Sequence, residues 1–293
     1  MTRAIMLIVM LGTVGCATGQ RERAPTSDYR RVGGERDLSG WETWLGRPHA
    51  SVQGVDLPRD EKGQYVGVVG LDRDPKNVFS VVEVDGAPAI RISGEIFGAL
   101  TSKEEFENFH LKLEFKWGDE KFEPRTKAAR DSGVLYHCVG PHGGSGGGSR
   151  AWMQSQECQI QEKDCGDYWS VADAIADVQA EPVTIDNKHK AVRYTPGAAT
   201  WTIPNTEQLT QKRAIKSVDA EKPTGEWNTV EIICVGGTCR HIINGVENMV
   251  LTNSRRIVDG KEVPLTKGRI QLQSEGAEIF FRNIMIRPHL PPK

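Results

Sequence analysis

The chain has little of what marks a nucleic-acid binder or a membrane-spanning protein. Its 293 residues carry a formal net charge of −2, and the pI is about 6.4, so there is no overall positive field to hold a polyanion. After residue 11, no apolar run approaches the roughly 20 residues that a membrane helix needs. We therefore expect no nucleic-acid partner, and membrane contact only through an N-terminal lipid.

Cysteine motifs for metal binding are also missing. No Cys-x-x-Cys pair is present among the six cysteines, which argues against a zinc cage. The glycine-rich stretch 143–149 is not followed by the Gly-Lys-Ser/Thr of a phosphate-binding loop. A flexible loop at a rim is the favoured interpretation of that stretch.

The first 32 residues have the pattern of an export signal and a tether. A short positive start at 1–3 precedes an apolar run at 4–11 and the sequence Thr-Val-Gly-Cys at 13–16. Small residues before a cysteine resemble the bacterial lipobox, in which Cys16 would carry the lipid. We predict a signal peptide with lipobox at 1–16 and a flexible tether at 17–32. The protein would then be exported to the periplasm or cell envelope, anchored through Cys16; a plain signal peptide cut nearby is the alternative.

Export would put the other five cysteines in an oxidising compartment, where disulfides persist. Cys234 and Cys239 flank a Val-Gly-Gly-Thr turn, so paired strands could bring them to bridging distance. Cys158 and Cys165 could close a second small loop. Cys138 is left over, and a buried, small apolar role is favoured for it over a catalytic thiol.

The body of the chain alternates apolar and polar residues with period two. Residues 109–117 alternate without exception, and the runs 230–235 and 239–243 surround a Gly-Gly turn at 236–237. Asn-Gly at 244–245 predicts a second tight turn directly afterwards. Helix patterns are scarce, with one candidate at 168–176. Many short strands with turn signals between them predict an all-β, antiparallel β-sandwich, and no linker divides the single domain that we predict at 33–289.

A series of short motifs, in order, resembles the 3-keto-disaccharide hydrolase family, also called DUF1080. The motifs are DLSGW at 37–41, GALTS at 98–102, the strand 106–115, DSGVL at 131–135, ECQIQE at 157–162, EWN at 226–228, ING at 243–245, GRIQLQ at 268–273 and FRNI at 281–284. The resemblance covers about residues 33–288.

This resemblance implies a concanavalin/laminin-G-like jelly roll and an exported enzyme that acts on oxidised sugars. In the implied reaction, a base removes the C2 proton of a 3-keto-glycoside, the C1–O bond breaks by elimination, and water then adds. The chemistry needs one base near C2. It also needs an electrophile at the enolate oxygen, which could be a divalent metal ion or fixed donors.

Strand geometry predicts which side chains could bind a sugar. Residues two apart on a strand share a face, so Glu157, Gln159 and Gln161 should point together. Gln271, Gln273 and Glu275 are expected to form a second polar row. A concave sheet face with such groups and with aromatic platforms suits a sugar. The platform candidates are Trp41, Trp152, Tyr168 and Trp169.

Glu157 and His137 are the candidates for acid/base catalysis or metal binding. In the acidic stretch 161–168, Glu162 and Asp164 are candidate ligands for a divalent metal ion, with a solvated turn as the alternative. Glu157 and Glu162 are five apart and should face opposite ways, which argues against a flanking carboxylate pair. Two other functions stay open: a non-catalytic carbohydrate-binding module and a retaining glycoside hydrolase on the same scaffold.

Overall fold

A computed structural model describes residues 28–144 and 147–289. In this part of the chain the only helical segment is the short 3-10 turn Gly147–Ser149, and no helix has the length and apolar character to span a membrane. Cys16, the signal peptide and residues 17–27 of the tether lie outside the described residues.

The strands follow one another in chain order. They are β1 (Arg30–Arg31), β2 (Trp41–Leu45), β3 (Gly70–Leu71), β4 (Phe79–Val84), β5 (Ala87–Ile92), β6 (Gly98–Ser102), β7 (Phe106–Glu107), β8 (Phe109–Lys121), β9 (Asp131–Val139), β10 (Gln154–Gln161), β11 (Tyr168–Val171), β12 (Ile175–Ile185), β13 (His189–Tyr194), β14 (Thr200–Ile203), β15 (Arg213–Ile215), β16 (Asn228–Val235), β17 (Thr238–Ile243), β18 (Val246–Val258), β19 (Lys261–Pro264), β20 (Lys267–Ser274) and β21 (Ala277–Pro288).

Two sheets share one strand. The first sheet has the order β4–β5–β21–β8–β16–β17–β18–β12–β14. The second has the order β3–β2–β6–β20–β9–β10–β11–β15–β13–β12. These pairings are antiparallel except β13 with β15. Strand β12 belongs to both sheets, through 176–179 beside β14 and 180–185 beside β13.

The layers pack face to face on one apolar core, as the alternation predicts. On β8, Leu111, Leu113 and Phe115 are fully buried, and they belong to the same core cluster as Ile160 of β10. The predicted all-β antiparallel sandwich of jelly-roll type is therefore confirmed. The predicted helix at 168–176 is wrong, because this segment forms β11 and the start of β12.

The predicted turns at 236–237 and 244–245 join β16 to β17 and β17 to β18. Asn244 and Gly245 both have positive φ (50° and 82°), as a tight hairpin turn of this twist requires. The first hairpin sets Cys234 directly opposite Cys239.

Neither predicted disulfide is formed in the structure. All five cysteines of the described chain are buried thiols. The Sγ atoms of Cys234 and Cys239 lie 3.2 Å apart, beyond the 2.03–2.05 Å of a covalent S–S bond. Cys158 pairs across the sheet with Tyr168, so the β10–β11 register does not set it opposite Cys165.

Candidate functional site

A cavity of about 440 Å³ opens on the face of the second sheet that points away from the first sheet. This volume falls in the range of sites that hold small molecules, roughly 300–1,000 Å³. The lining residues are Arg125, Asp131, Trp152, Glu157, Gln159, Gln161, Trp169, Ser170, Val171, Ala172, Gln273 and Glu275.

Strand alternation builds the floor of this cavity. On β10, Cys158 and Ile160 enter the core, so Glu157, Gln159 and Gln161 point to the other face. The sequence placed these three side chains together, and the structure brings all of them to the cavity.

Gly133 leaves room for the carboxyl group of Glu157. It lies on β9, between β10 and β20, and faces Gln159 across the sheet. A Cβ atom at Gly133 would lie 2.3 Å from Glu157 Oε1 and 2.6 Å from Gln273 Oε1. Both side chains therefore extend over a position where only a hydrogen atom fits.

An ion pair forms one wall of the cavity. Arg125 Nη2 lies 2.5 Å from Asp131 Oδ2, and Gln159 and Gln161 donate hydrogen bonds to the two oxygens of the same carboxylate, at 3.0 and 2.6 Å. Arg125 also lies 3.8 Å from Glu275. The guanidinium thus supplies positive charge to a cavity that contains three carboxyl groups.

Burial raises the pKa of all three carboxyl groups. For Glu157 the Asp131 carboxylate adds to the shift and a hydrogen bond from Gln273 opposes it, so the pKa lies well above its usual value. Burial raises the pKa of Asp131 to about 6 against the opposing charge of Arg125. The pKa of Glu275 is raised by burial and, to a smaller extent, by the charges of the Asp131 and Glu157 carboxylates. The Arg125 charge and the hydrogen bond from Gln161 favour the ionised form of Asp131, whereas burial and the Asp131 charge disfavour the ionised form of Glu157.

Several polar atoms of the lining residues are buried without a hydrogen-bond partner. They are Arg125 Nε, Gln159 Oε1, Trp169 Nε1, Ser170 Oγ and Gln273 Oε1. Such atoms are rare in folded proteins, because each costs about 1–3 kcal/mol when it is left unpaired. Both donors and acceptors are among them, as a ligand rich in hydroxyl groups requires.

Two of the four predicted aromatic platforms line the cavity. Trp152 is held by a hydrogen bond from its Nε1 to the Gly98 carbonyl at 3.1 Å, and Trp169 lies opposite Glu157 in the β10–β11 register. Trp41 and Tyr168 are core residues instead.

His137 does not reach the cavity, which corrects its choice as a partner of Glu157. The pairing of β9 with β20 is irregular at this point, and alternation is lost, so the adjacent Tyr136 and His137 both point into the core. The His137 ring is fully buried against Phe109, with centroids 5.7 Å apart. Burial lowers its pKa to about 4.

Gln271 also lies outside the cavity. Its Nε2 donates to Thr101 Oγ1 at 2.9 Å, and its Oε1 accepts from the Met153 backbone at 3.1 Å. Both ends of the amide are therefore occupied by the protein, because the segment before β10 covers this part of β20.

The predicted metal ligands Glu162 and Asp164 are not brought together. Glu162 pairs with Arg130 at 2.8 Å, whereas Asp164 pairs with Arg213 at 2.9 Å. Each carboxylate is neutralised by its own arginine. In the described chain, the one group of three metal-ligating side chains with mutually close ligand atoms lies elsewhere.

Arg125, Ser170 and the role of Asp131 were not identified from the sequence, whereas Glu275 was expected to continue the polar row of Gln271 and Gln273 and does line the cavity. Arg125 belongs to the irregular segment after β8, where no periodicity indicates a direction. Asp131 was visible within the DSGVL motif, directly before Gly133, and this motif was the one available signal.

The model of the 3-keto-α-glucoside 1,2-lyase-like domain family matches residues 32–287. The chain belongs to this family. Membership in the lyase-like family makes it a carbohydrate-active protein. The comparison with curated proteins gives no match.

Solved structures with a similar course of the chain include two candidate glycosyl hydrolases from Parabacteroides distasonis. One is 23% identical to this chain; the match covers 72% of this chain and 90% of that structure's chain, with a TM-score of 0.41. The other is 17% identical, over 89% and 93%, with a TM-score of 0.45. A carbohydrate-binding module from Bacillus subtilis is 8% identical, over 71% and 91%, with a TM-score of 0.38.

Proposed function

We propose that the protein cleaves 3-keto-glycosides by removal of the C2 proton, elimination at C1 and hydration. The observation that carries the proposal is the buried Glu157 carboxyl group, in a cavity whose lining residues leave five other polar atoms without a protein partner. Family membership supports the same substrate class.

Glu157 is the proposed base. The C3 ketone acidifies the C2 proton, and a carboxylate with a raised pKa is a stronger base than an exposed one once it is ionised. The C2–H electron pair forms the C2–C3 enolate. When the enolate collapses, the C1–O bond breaks, and the leaving oxygen takes a proton and departs as the aglycone alcohol. Water then adds across C1 and C2 to give the free 3-keto sugar.

Arg125 and Trp169 are the proposed donors to the enolate oxygen. Both residues line the cavity, and Arg125 Nε and Trp169 Nε1 are N–H groups without a protein partner. Fixed donors aimed at a developing negative charge lower the barrier without reorganisation. Arg125 brings a full positive charge close to Asp131 and Glu275, which share the cavity with Glu157.

The hydroxyl groups of the sugar would bind to Gln159, Gln273 and Ser170. The apolar face of the sugar ring would lie on Trp152 or Trp169. The free amide oxygens accept hydrogen bonds from hydroxyl groups, and the Ser170 hydroxyl can do both. A site built this way distinguishes substrates by their hydroxyl pattern, because a missing hydroxyl leaves a buried polar atom unpaired.

The test is incubation of the purified protein with 3-keto-trehalose and a 3-keto-glucoside, followed by assay of released 3-keto-glucose. Parallel reactions with a chelator and with added divalent cations determine whether a metal ion takes part. We expect release that depends on Glu157. If no keto-sugar is cleaved by metal-replete protein, the proposal is wrong.

A retaining glycoside hydrolase is the second candidate, because Asp131 and Glu275 line the same cavity as Glu157. Such enzymes use two carboxyl groups about 5–5.5 Å apart. Asp131 already binds Arg125 and two glutamines, which suits a positioning role better than nucleophilic attack. Cleavage of unoxidised glycosides, with retained configuration, would favour this candidate over the first.

We further propose export and lipid attachment at Cys16, on the lipobox-like sequence alone. Membrane fractionation and mass spectrometry of the mature N-terminus test this proposal. The variant Cys16→Ser should move the protein from the membrane fraction to the soluble fraction, and an unchanged distribution would contradict the anchor.

A further inference from the structure

A second cluster of reactive side chains lies between the two sheets, on the other side of the second sheet from the cavity. One ring nitrogen of His137 and the Sγ atoms of Cys234 and Cys239 all lie within 4.8 Å of one another. His137 comes from β9 of the second sheet, and the two cysteines from β16 and β17 of the first. The three side chains are fully buried.

His137 provides an independent sign of a missing ligand. Both of its ring nitrogens are buried and make no hydrogen bond of normal geometry, although the Leu265 carbonyl lies near enough to favour the protonated ring. The backbone is also held at φ +53°, a left-handed conformation that non-glycine residues rarely adopt. An unpaired imidazole in a strained position indicates a function for the ring.

The spacing of the two thiols suits one metal ion with a small adjustment. Zinc binds thiolate sulfur at about 2.3 Å and imidazole nitrogen at about 2.0–2.1 Å, so tetrahedral angles set two sulfurs about 3.7 Å apart. Cys234 Sγ and Cys239 Sγ are 3.2 Å apart. A rotation of either side chain that moves its Sγ atom by a few tenths of an ångström would bring the two sulfurs to the separation that zinc requires.

Charge and softness define the class of ion. Two thiolates and a neutral imidazole neutralise Zn²⁺, whereas one thiolate, one neutral thiol and the imidazole neutralise Cu⁺; either neutral complex avoids the cost of a net charge in the core. Thiolate sulfur prefers soft ions such as Cu(I) and zinc over magnesium or calcium. The surroundings are aromatic, with Phe109 and Tyr136 against the His137 ring.

We propose that His137, Cys234 and Cys239 bind one thiophilic d10 cation, Zn²⁺ or Cu⁺, that links the two sheets of the sandwich. The site is separate from the sugar cavity and would stabilise the fold. An ion that binds only the folded protein raises its stability in proportion to ln(1 + [ion]/Kd).

The direct test is elemental analysis of the full-length protein, produced in zinc-supplemented and copper-supplemented cultures and kept reduced. We expect about one equivalent of one of the two metals after gel filtration, and a lower thermal unfolding temperature after the metal is stripped. The two cultures identify which ion it is. Less than a tenth of an equivalent in both preparations would overturn the proposal, as would a Cys234–Cys239 disulfide found by peptide mapping.

Variants locate the site. Cys234→Ala and Cys239→Ala should each lower the bound metal at least tenfold. The matched control is Cys138→Ala, which removes an equally buried thiol from the residue next to His137, on the opposite face of β9. Equal metal content in all three variants would overturn the proposal. If the first two variants fail to fold, alkylation of wild-type thiols, with and without metal, gives the same information, since bound metal should protect two of the five.

Discussion

The Glu157 side chain is 5% exposed, and its carboxyl group shares a cavity with the Asp131 and Glu275 carboxyls. Its chemistry therefore depends on the charge of its neighbours. Asp131 is stabilised as a carboxylate by Arg125 and two glutamine amides, whereas Glu157 receives one hydrogen bond, from Gln273. Similar carboxyl groups in one cavity are thereby given different affinities for a proton, which is how acid and base roles separate.

The substitution Glu157→Gln should lower the rate of keto-sugar cleavage at least a hundredfold, because general bases contribute about 10²–10⁴. Steady-state kinetics on a 3-keto-glucoside measures the effect. Glu162→Gln is the matched control, since it removes a carboxylate that pairs with Arg130 outside the cavity, and it should leave the rate within threefold. A loss of under threefold for Glu157→Gln would exclude it as the base.

The pH dependence should follow the raised pKa of Glu157. A base must be deprotonated, so kcat/KM should rise about tenfold per pH unit below this pKa and level off above it. Without the shift the plateau would begin near the ordinary value of 4.5; burial and the Asp131 charge move it upward. A pH profile from 4 to 10 measures this limb. Activity that falls through the same range would instead indicate Glu157 as an acid, as the glycosidase candidate requires.

At the residue scale, period-two alternation identified the cavity face of β10 but not the contents of β9. Glu157, Gln159 and Gln161 followed from a regular strand. His137 did not, because the irregular pairing with β20 turns two successive side chains inward, and no residue type in the sequence indicates where such an irregularity falls.

Among the strands, β9 shapes the cavity through Gly133, where the absence of a side chain leaves room for the Glu157 carboxyl group. Gly133→Ala would put a methyl group 2.3 Å from Glu157 Oε1. We expect at least a tenfold loss of activity, because the carboxyl group must move by more than an ångström. The φ angle of Gly133 is outside the left-handed region, so the alanine backbone itself is not strained.

The control for this substitution is Gly148→Ala, where no atom lies within 4 Å of the added Cβ and φ is again outside the left-handed region. Kinetics and urea unfolding should be measured on both variants. Full activity of Gly133→Ala would mean that Glu157 works from a different position.

At the scale of strands and turns, the sequence predicted the hairpins well and the contacts between distant segments poorly. Gly-Gly and Asn-Gly turns define β16–β17–β18 by local chemistry. Arg125 reaches Asp131 from a segment without alternation, and Glu162 is neutralised by Arg130. Such pairings depend on how the loop after β8 folds back over the sheet, which no local pattern encodes.

For the whole molecule, a hydrogen bond between Tyr136 and His241 helps to link the two layers deep in the core. The Tyr136 hydroxyl lies 2.9 Å from His241 Nε2. Burial lowers the pKa of His241 to about 4, so its ring is neutral; Nδ1 donates to the Gly166 carbonyl, and Nε2 accepts a hydrogen bond from the Tyr136 hydroxyl. Tyr136→Phe should lower the free energy of unfolding by about 1–3 kcal/mol, the cost of an unpaired buried acceptor.

Urea unfolding at pH 7 measures this effect. Tyr194→Phe is the control, because the Tyr194 hydroxyl makes no hydrogen bond within the described chain and its removal should cost little. Equal stabilities of the two variants would show that the Tyr136–His241 contact contributes nothing.

Strand β12 runs from one layer into the other without a break, so its backbone hydrogen bonds are divided between β14 and β18 in one layer and β13 in the second. The layers cannot come apart while these bonds persist. Amide protons of residues 175–179, which lie between β14 and β18, should therefore exchange with solvent only when the entire molecule opens, whereas those of the edge strand Phe79–Val84 should exchange sooner. By the same logic, a fragment that contains just one of the layers would not fold independently.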